Sequence, residues 1–141
     1  MATSRIAADT VTLFNFLGKG EDRADRYQAT VLENVHAAAA EGQIKTANTA
    51  EDALKVLIFD ANLRVPSGRE FLPHRAFAAR DPAERASFWT LSPDGKDYVA
   101  PGALETTDGR LPEGVTLYQV QKIQRHAKGS ARMMYWTVEA T

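Results

Sequence analysis

Short runs of β-branched and aromatic residues, each stopped by glycine, proline or clustered charge, recur along this chain at intervals of roughly 8 to 15 residues. A parallel α/β sheet needs long helical crossovers between its strands, and this spacing leaves no room for them. The pattern predicts a mainly β domain of six or seven strands, a small antiparallel barrel or sandwich with one short helix. For 141 residues, 44% of them hydrophobic, a single domain with one core is expected, with residues 1–9 a flexible polar tail.

The first strand is read at Thr10–Leu17 and the second at Tyr27–Leu32, joined by a charged loop over Lys19–Arg26. Ala37–Ala40 have the highest helix propensity available, but the run is too short for an independent helix and Gly42 stops it. Val35–Lys45 is therefore expected to be an irregular strand that continues the sheet. Ala50–Leu54 reads as a loop or single turn, Lys55–Asp60 as a buried strand and Val65-Pro-Ser-Gly68 as a turn. Phe71–Phe77, around Pro73, is either an edge segment or a short helical turn. Asp81-Pro-Ala-Glu84 has the form of a helix start, with Asp81 as cap and Glu84 reaching back in a capping box. Pro93-Asp-Gly95 is a turn joining an extended Phe88–Leu91 to Asp97–Ala100, and Pro101-Gly102 breaks the chain. Leu104–Gly114 is a polar loop and Leu117–Ile123 a half-buried strand. The chain then runs through a basic loop into a final strand. There Met134, Trp136 and Val138 face one way and Met133, Tyr135 and Thr137 the other. A tryptophan on that strand ties it into a sheet.

The 17 basic and 18 acidic residues nearly cancel, which argues against a general nucleic-acid binder. Cysteine is absent, so disulfides, a thiol nucleophile and thiolate metal ligation are excluded. The first nine residues lack the apolar stretch of a signal peptide, and no run approaches the roughly 20 apolar residues of a membrane helix. His36, His74 and His126 are far apart and without the spacing of a metal site. Ser4, Ser67, Ser87, Ser92 and Ser130 lack a nucleophile-elbow context, and Gly18-Lys19-Gly20 lacks the Walker spacing. No catalytic residue, cofactor or metal is expected, and the chain is read as a protein that works by contact rather than as an enzyme.

Contact residues are expected on the connecting loops. The candidates are Lys19, Glu21, Asp22 and Arg23 at the first hairpin tip, Arg64 and Arg69 on Asn62–Arg69, and Arg110 on Leu104–Gly114. Lys128 and Arg132 are added from the basic run that also holds Lys122, Arg125 and His126. Glu21, Asp22 and Asp25 read as a solvated acidic tip. The basic run could meet phosphates or an acidic partner, or simply solubilise a hairpin tip. Trp89, Tyr98, Tyr118, Tyr135 and Trp136 are expected in the core or at interfaces rather than on a base-stacking platform.

Four segments carry a resemblance. Thr10-Val-Thr-Leu-Phe-Asn-Phe16 with its return strand Tyr27-Gln-Ala-Thr-Val-Leu-Glu-Asn-Val-His36 is the first. Leu54-Lys-Val-Leu-Ile-Phe-Asp60 is the second, and Phe88-Trp-Thr-Leu-Ser-Pro-Asp-Gly-Lys-Asp-Tyr-Val-Ala-Pro-Gly102 the third. Lys128-Gly-Ser-Ala-Arg-Met-Met-Tyr-Trp-Thr-Val138 is the last. In order and spacing these resemble the short neck proteins of tailed phages and prophages, of the head-closure (stopper) or head–tail joining kind. The resemblance implies a virion structural subunit at the head–tail junction, made in the host cytoplasm. It implies a homo-oligomeric ring contacting other neck, portal-adaptor or tail proteins, with passing contact to DNA in the channel and none to a membrane. It offers no catalytic residues. A tail-completion or terminator role is the alternative within that class. A small β-barrel binding module for nucleic acid or a ligand is the alternative outside it.

Overall fold

A computed structural model describes residues 8–39, 53–94, 96–127 and 134–141. In chain order the elements are β1 (Asp9–Lys19), β2 (Asp25–Ala39), β3 (Leu54–Phe59), β4 (Glu70–Phe71), α1 (His74–Ala79), α2 (Pro82–Arg85), β5 (Phe88–Trp89), β6 (Tyr98–Pro101), β7 (Tyr118–His126) and β8 (Tyr135–Ala140). Six strands close into a barrel in the order β1-β2-β3-β8-β7-β6. All six neighbouring pairs are antiparallel. Closure is how such a sheet removes its sticky edges. The fold is thus mainly β, as the turn spacing predicts, with two short helices in place of the one expected.

Alternation along β1 explains much of the core. Val11 and Leu13 face an interior shared with Leu32, Val56, Ile58, Val120 and Val138. Phe14 points the other way, into a second layer with Tyr27 and Ala100 that Leu104, Leu111 and Leu117 pack against. The strand is therefore buried on both faces from Val11 to Asn15. Its polar members need internal partners. The Thr12 hydroxyl donates to the Gly102 carbonyl (2.7 Å) and accepts from the Leu104 N–H (2.8 Å).

β2 changes partners part-way along. Up to Val35 it pairs with β1, and from His36 to Ala39 it pairs with β3. Asn34 lies at the register shift with φ 61°, a left-handed conformation that asparagine tolerates better than branched residues. The irregular strand expected over Val35–Lys45 is seen as far as Ala39. Its remainder, and most of the expected turn at Ala50–Leu54, lie outside the described residues, and Leu54 itself opens β3. Asp9, expected in a flexible tail, is already in β1, and its carboxylate accepts the Ala37 N–H (2.9 Å).

One local expectation is corrected, at α2, and one choice of partners is added to the sequence reading. Phe88–Leu91 and Asp97–Ala100 do not pair with each other. β5 pairs in parallel with β4, while β6 lies between β1 and β7. Asn15 of β1 reaches both segments, through the Thr90 backbone and the Asp97 carboxylate, while Pro93, Asp94 and Lys96 between them are exposed. At α2, Asp81 holds the cap position, but its side chain makes no capping hydrogen bond. Glu84 is drawn instead to Arg80 (3.2 Å), so the capping box does not form.

The last strand is central, not peripheral. β8 pairs with β3 on one side and β7 on the other, and Thr141 exchanges two backbone hydrogen bonds with Gln119 (2.8 and 3.0 Å). Thr137 and Val138, expected on opposite faces, are both buried, so the strand is covered on both sides there. Met133 lies outside the described residues.

Candidate functional site

The first hairpin ends in a tight turn, Gly20 to Ala24, with Arg23 at φ 65°. Asp22 is its organising group. One carboxylate oxygen accepts from the Ala24 N–H (3.1 Å) and from Arg26 (2.9 Å), and the other meets Arg110. The Ala24 hydrogen bond, then the Arg26 guanidinium, hold the Asp22 carboxyl below the usual carboxylate range. Arg110 comes from the opposite end of the sequence. It follows a two-residue Asp108-Gly109 turn, both residues at positive φ (52° and 74°), closed by paired bonds between Thr107 and Arg110. The Gly109 carbonyl also accepts the Tyr27 N–H (2.6 Å). A Cβ at Gly109 would press on the Arg26 side chain at 2.8 Å and displace it, and φ 74° itself favours glycine there. Asp22 is thus an exposed hub joining two of the expected loops. Lys19 pairs with Asp25 (2.8 Å), while Glu21 and Arg23 are exposed.

The third loop, Asn62–Arg69, lies along the outward edge of β2. Arg64 and Glu33 exchange backbone hydrogen bonds (2.8 and 3.1 Å) and join their side chains at 2.7 Å. Arg69, expected to face a partner, turns inward. Its guanidinium donates to the carbonyls of Ala29 (2.6 Å) and Ala86 (2.9 Å) and to the Thr30 hydroxyl (3.2 Å). Burial lowers its pKa, but those acceptors explain why the cation is kept there. Between Pro66–Arg69 and Leu104–Thr106 an open groove of about 490 Å³ passes over Tyr27–Val31.

The basic run is only partly free. Arg125 forms a two-pronged pair with Asp60 (2.8 and 2.6 Å) and lies over the Trp136 ring, and His126 stacks on Tyr135 (4.4 Å). Lys122 is exposed. Lys128 and Arg132 lie outside the described residues. Of the aromatics, Trp89 is buried and meets Phe71 edge-on, Tyr98 packs on Tyr27, and Trp136 also reaches Phe71.

Sequence reasoning missed a buried polar knot towards the end of β1, centred on Asn15. The Asn15 amide donates to the Thr90 carbonyl (2.8 Å) and to Asp97 Oδ2 (2.9 Å), and its oxygen accepts the Thr90 N–H (3.2 Å). The Phe16 N–H donates to Asp97 Oδ1 (2.8 Å), and the Asp97 carbonyl accepts the Val120 N–H (2.9 Å). Asp97 therefore staples β1 to β7 across the short β6 seam. A cleft of about 230 Å³ opens beside the knot, walled by Phe16, Leu17, Phe77 and Ala78. Arg85 braces its rim by donating to the carbonyls of Phe77 (3.2 Å), Ala78 (2.9 Å) and Leu17 (3.1 Å). The first two of these lie in the last turn of α1, where the Phe77 carbonyl also accepts the Arg80 N–H (3.2 Å). A signal existed: Asn15 is an amide amid apolar neighbours on a strand dense in β-branched and aromatic residues.

Asp97 has a titration that can be observed. Burial pushes its carboxyl up from 3.8 to about 6, against the pull of the Phe16 and Asn15 hydrogen bonds. The stability linked to its protonated form is therefore complete below about pH 4 and is lost as pH rises through about 6. A shift of that size corresponds to roughly 3 kcal/mol. Thermal unfolding between about pH 4 and 8 should show the native chain losing stability relative to Asp97→Asn as pH rises. A constant offset between the two proteins would refute this titration.

Among the described residues, no group of three or more His, Cys, Asp or Glu is placed to hold a metal ion, and no helix is long and apolar enough to cross a membrane. Residues 6–141 match a protein family described as a family of unknown function (DUF6751). The chain belongs to that family. No curated protein and no solved structure matches it. The family match spans the barrel, the Asp22 hub and the Asn15–Asp97 knot together, so the fold and both features fall within one family unit.

Proposed function

We propose that this chain is a structural subunit of a tailed-phage head–tail junction, a head-closure type neck protein that acts by protein–protein contact within a homo-oligomeric ring. One observation carries the reading. Three loops far apart in sequence, Lys19–Arg26, Asn62–Arg69 and Leu104–Gly114, converge along β2 and are fixed to it or to each other by Asp22, Arg64, Arg69 and Gly109. Loops held in place before binding lose less conformational freedom in an interface, which favours a contact role. The partners proposed are neighbouring copies, portal-adaptor or tail proteins, with DNA passing through the ring. No enzymatic activity is proposed. The basic run adds little to a nucleic-acid-binding reading, since Arg125 is engaged with Asp60 and His126 with Tyr135.

Electron microscopy of the purified virion, with mass photometry of the isolated chain, tests the reading. The protein is expected at the neck in ring-shaped density, and its absence from virions would overturn the proposal. The charge reversal Arg110→Glu places a second acid against Asp22. It is expected to abolish incorporation into particles while leaving the circular-dichroism melting temperature of the isolated chain nearly unchanged, because exposed ion pairs contribute little to folding. Normal incorporation of that variant would remove the hub from the contact surface.

A further inference from the structure

Asp97 is only 3% exposed, yet among the described residues no Lys, Arg or His nitrogen lies within ion-pair distance of its carboxylate. Its oxygens receive neutral donors, from the Asn15 amide and the Phe16 and Ser92 backbones. Buried aspartates are almost always paired with a cation, because neutral hydrogen bonds do not fully replace the lost hydration of the charge. Beside it Thr90 is 2% exposed, and its hydroxyl oxygen has no hydrogen-bond partner. Both residues line the same cleft.

The charged groups on the walls do not resolve the deficit. All three Arg85 nitrogens are engaged with carbonyls. The Lys96 ammonium lies over the Phe16 ring at 5.2 Å. Asp94 accepts the Ser92 hydroxyl (2.6 Å) and adds a second negative charge. His74, from α1, faces the cleft as well.

We propose that this cleft is a binding site for an organic cation, a primary ammonium or guanidinium head on a short apolar stem. The head would donate to Asp97 and to Thr90 Oγ1, since an ammonium carries three donors and both groups retain acceptor capacity. The stem would lie against Phe16, Leu17, Phe77 and Ala78. A volume of about 230 Å³ is below the roughly 300–1,000 Å³ of pockets for drug-sized ligands, so it suits one side-chain-sized group. Such a group can come from a free amine or from a lysine or arginine of a partner protein. The site stands whether or not the chain works at a head–tail junction.

The test is an amide-resolved NMR titration of the full chain with n-butylammonium, n-butylguanidinium, butyrate and calcium chloride in parallel. Saturable shifts at Phe16, Leu17, Thr90 and Lys96 are expected with the two organic cations only. Binding should weaken from about pH 8 to about pH 5 as Asp97 takes up a proton. Asp97→Asn should weaken it about tenfold or more, the scale of one charge-assisted hydrogen bond. A peptide carrying a single lysine or arginine that binds more tightly than the free cation assigns the site to a protein side chain, and equal affinity assigns it to small amines. No shift with either cation, equal shifts with butyrate or calcium, or pH-independent binding would each overturn the proposal. The pH and anion arms decide the matter even if the Asp97→Asn chain fails to fold.

Discussion

Asn15→Ala is expected to destabilise the barrel by about 3–5 kcal/mol, a large part of the stability a domain of this size has. The substitution removes little apolar surface. Its cost comes from what it strands: the Thr90 N–H and carbonyl each lose a partner, and Asp97 loses the side-chain donor to its carboxylate. Each orphaned buried group costs about 1–3 kcal/mol, and the groups are coupled, so the sum is less than additive. Thr90 is 2% exposed and Asp97 3%, so water cannot readily replace the amide. Denaturant unfolding measures the change, with Gln121→Ala on the exposed side of β7 as a control expected within about 0.5 kcal/mol of the native chain. A loss below about 1 kcal/mol would mean that the seam is held by its strands and not by the knot.

Deleting Tyr135–Thr141 is expected to abolish cooperative unfolding altogether. β8 supplies the ladder to both β3 and β7, so its loss opens the barrel along two edges at once. It also removes Val138 and Ala140 from the core and Trp136 from its place on Phe71. Burying a side chain the size of valine contributes about 1.5–3 kcal/mol, and each ladder hydrogen bond about 1 kcal/mol, so the total exceeds the 5–15 kcal/mol that small domains possess. Near-ultraviolet circular dichroism during a thermal scan gives the readout, and a sigmoidal transition in the truncated chain would show that five strands suffice.

The strands were legible in the sequence wherever one period dominated. Val11, Leu13 and Val56, Ile58 alternate as core residues should, and the Lys55–Asp60 run is the buried strand expected. Gly68 at φ 79° and Gly102 at φ 89° fall at the two predicted chain breaks. What could not be read was partner choice. Phe88–Leu91 and Asp97–Ala100 look like hairpin arms because a turn joins them, yet Val99 pairs with Leu13, far away in sequence. Nor could spacing show that Arg69 turns inward, since its acceptors on Ala29 and Ala86 exist only once the chain is folded. Asp108-Gly109 carried a readable hairpin signal that composition alone concealed within a polar loop. The Asn15–Asp97 knot joins residues 82 positions apart, a pairing that no local rule encodes.

β2 remains one uninterrupted ribbon across the kink at Asn34, with one half bound to β1 and the other to β3. A load applied at the Asp22 tip would accordingly travel along continuous backbone into both halves of the barrel, in shear across antiparallel hydrogen bonds instead of peeling them singly. A subunit wired in this way resists tension along its second strand far better than across it.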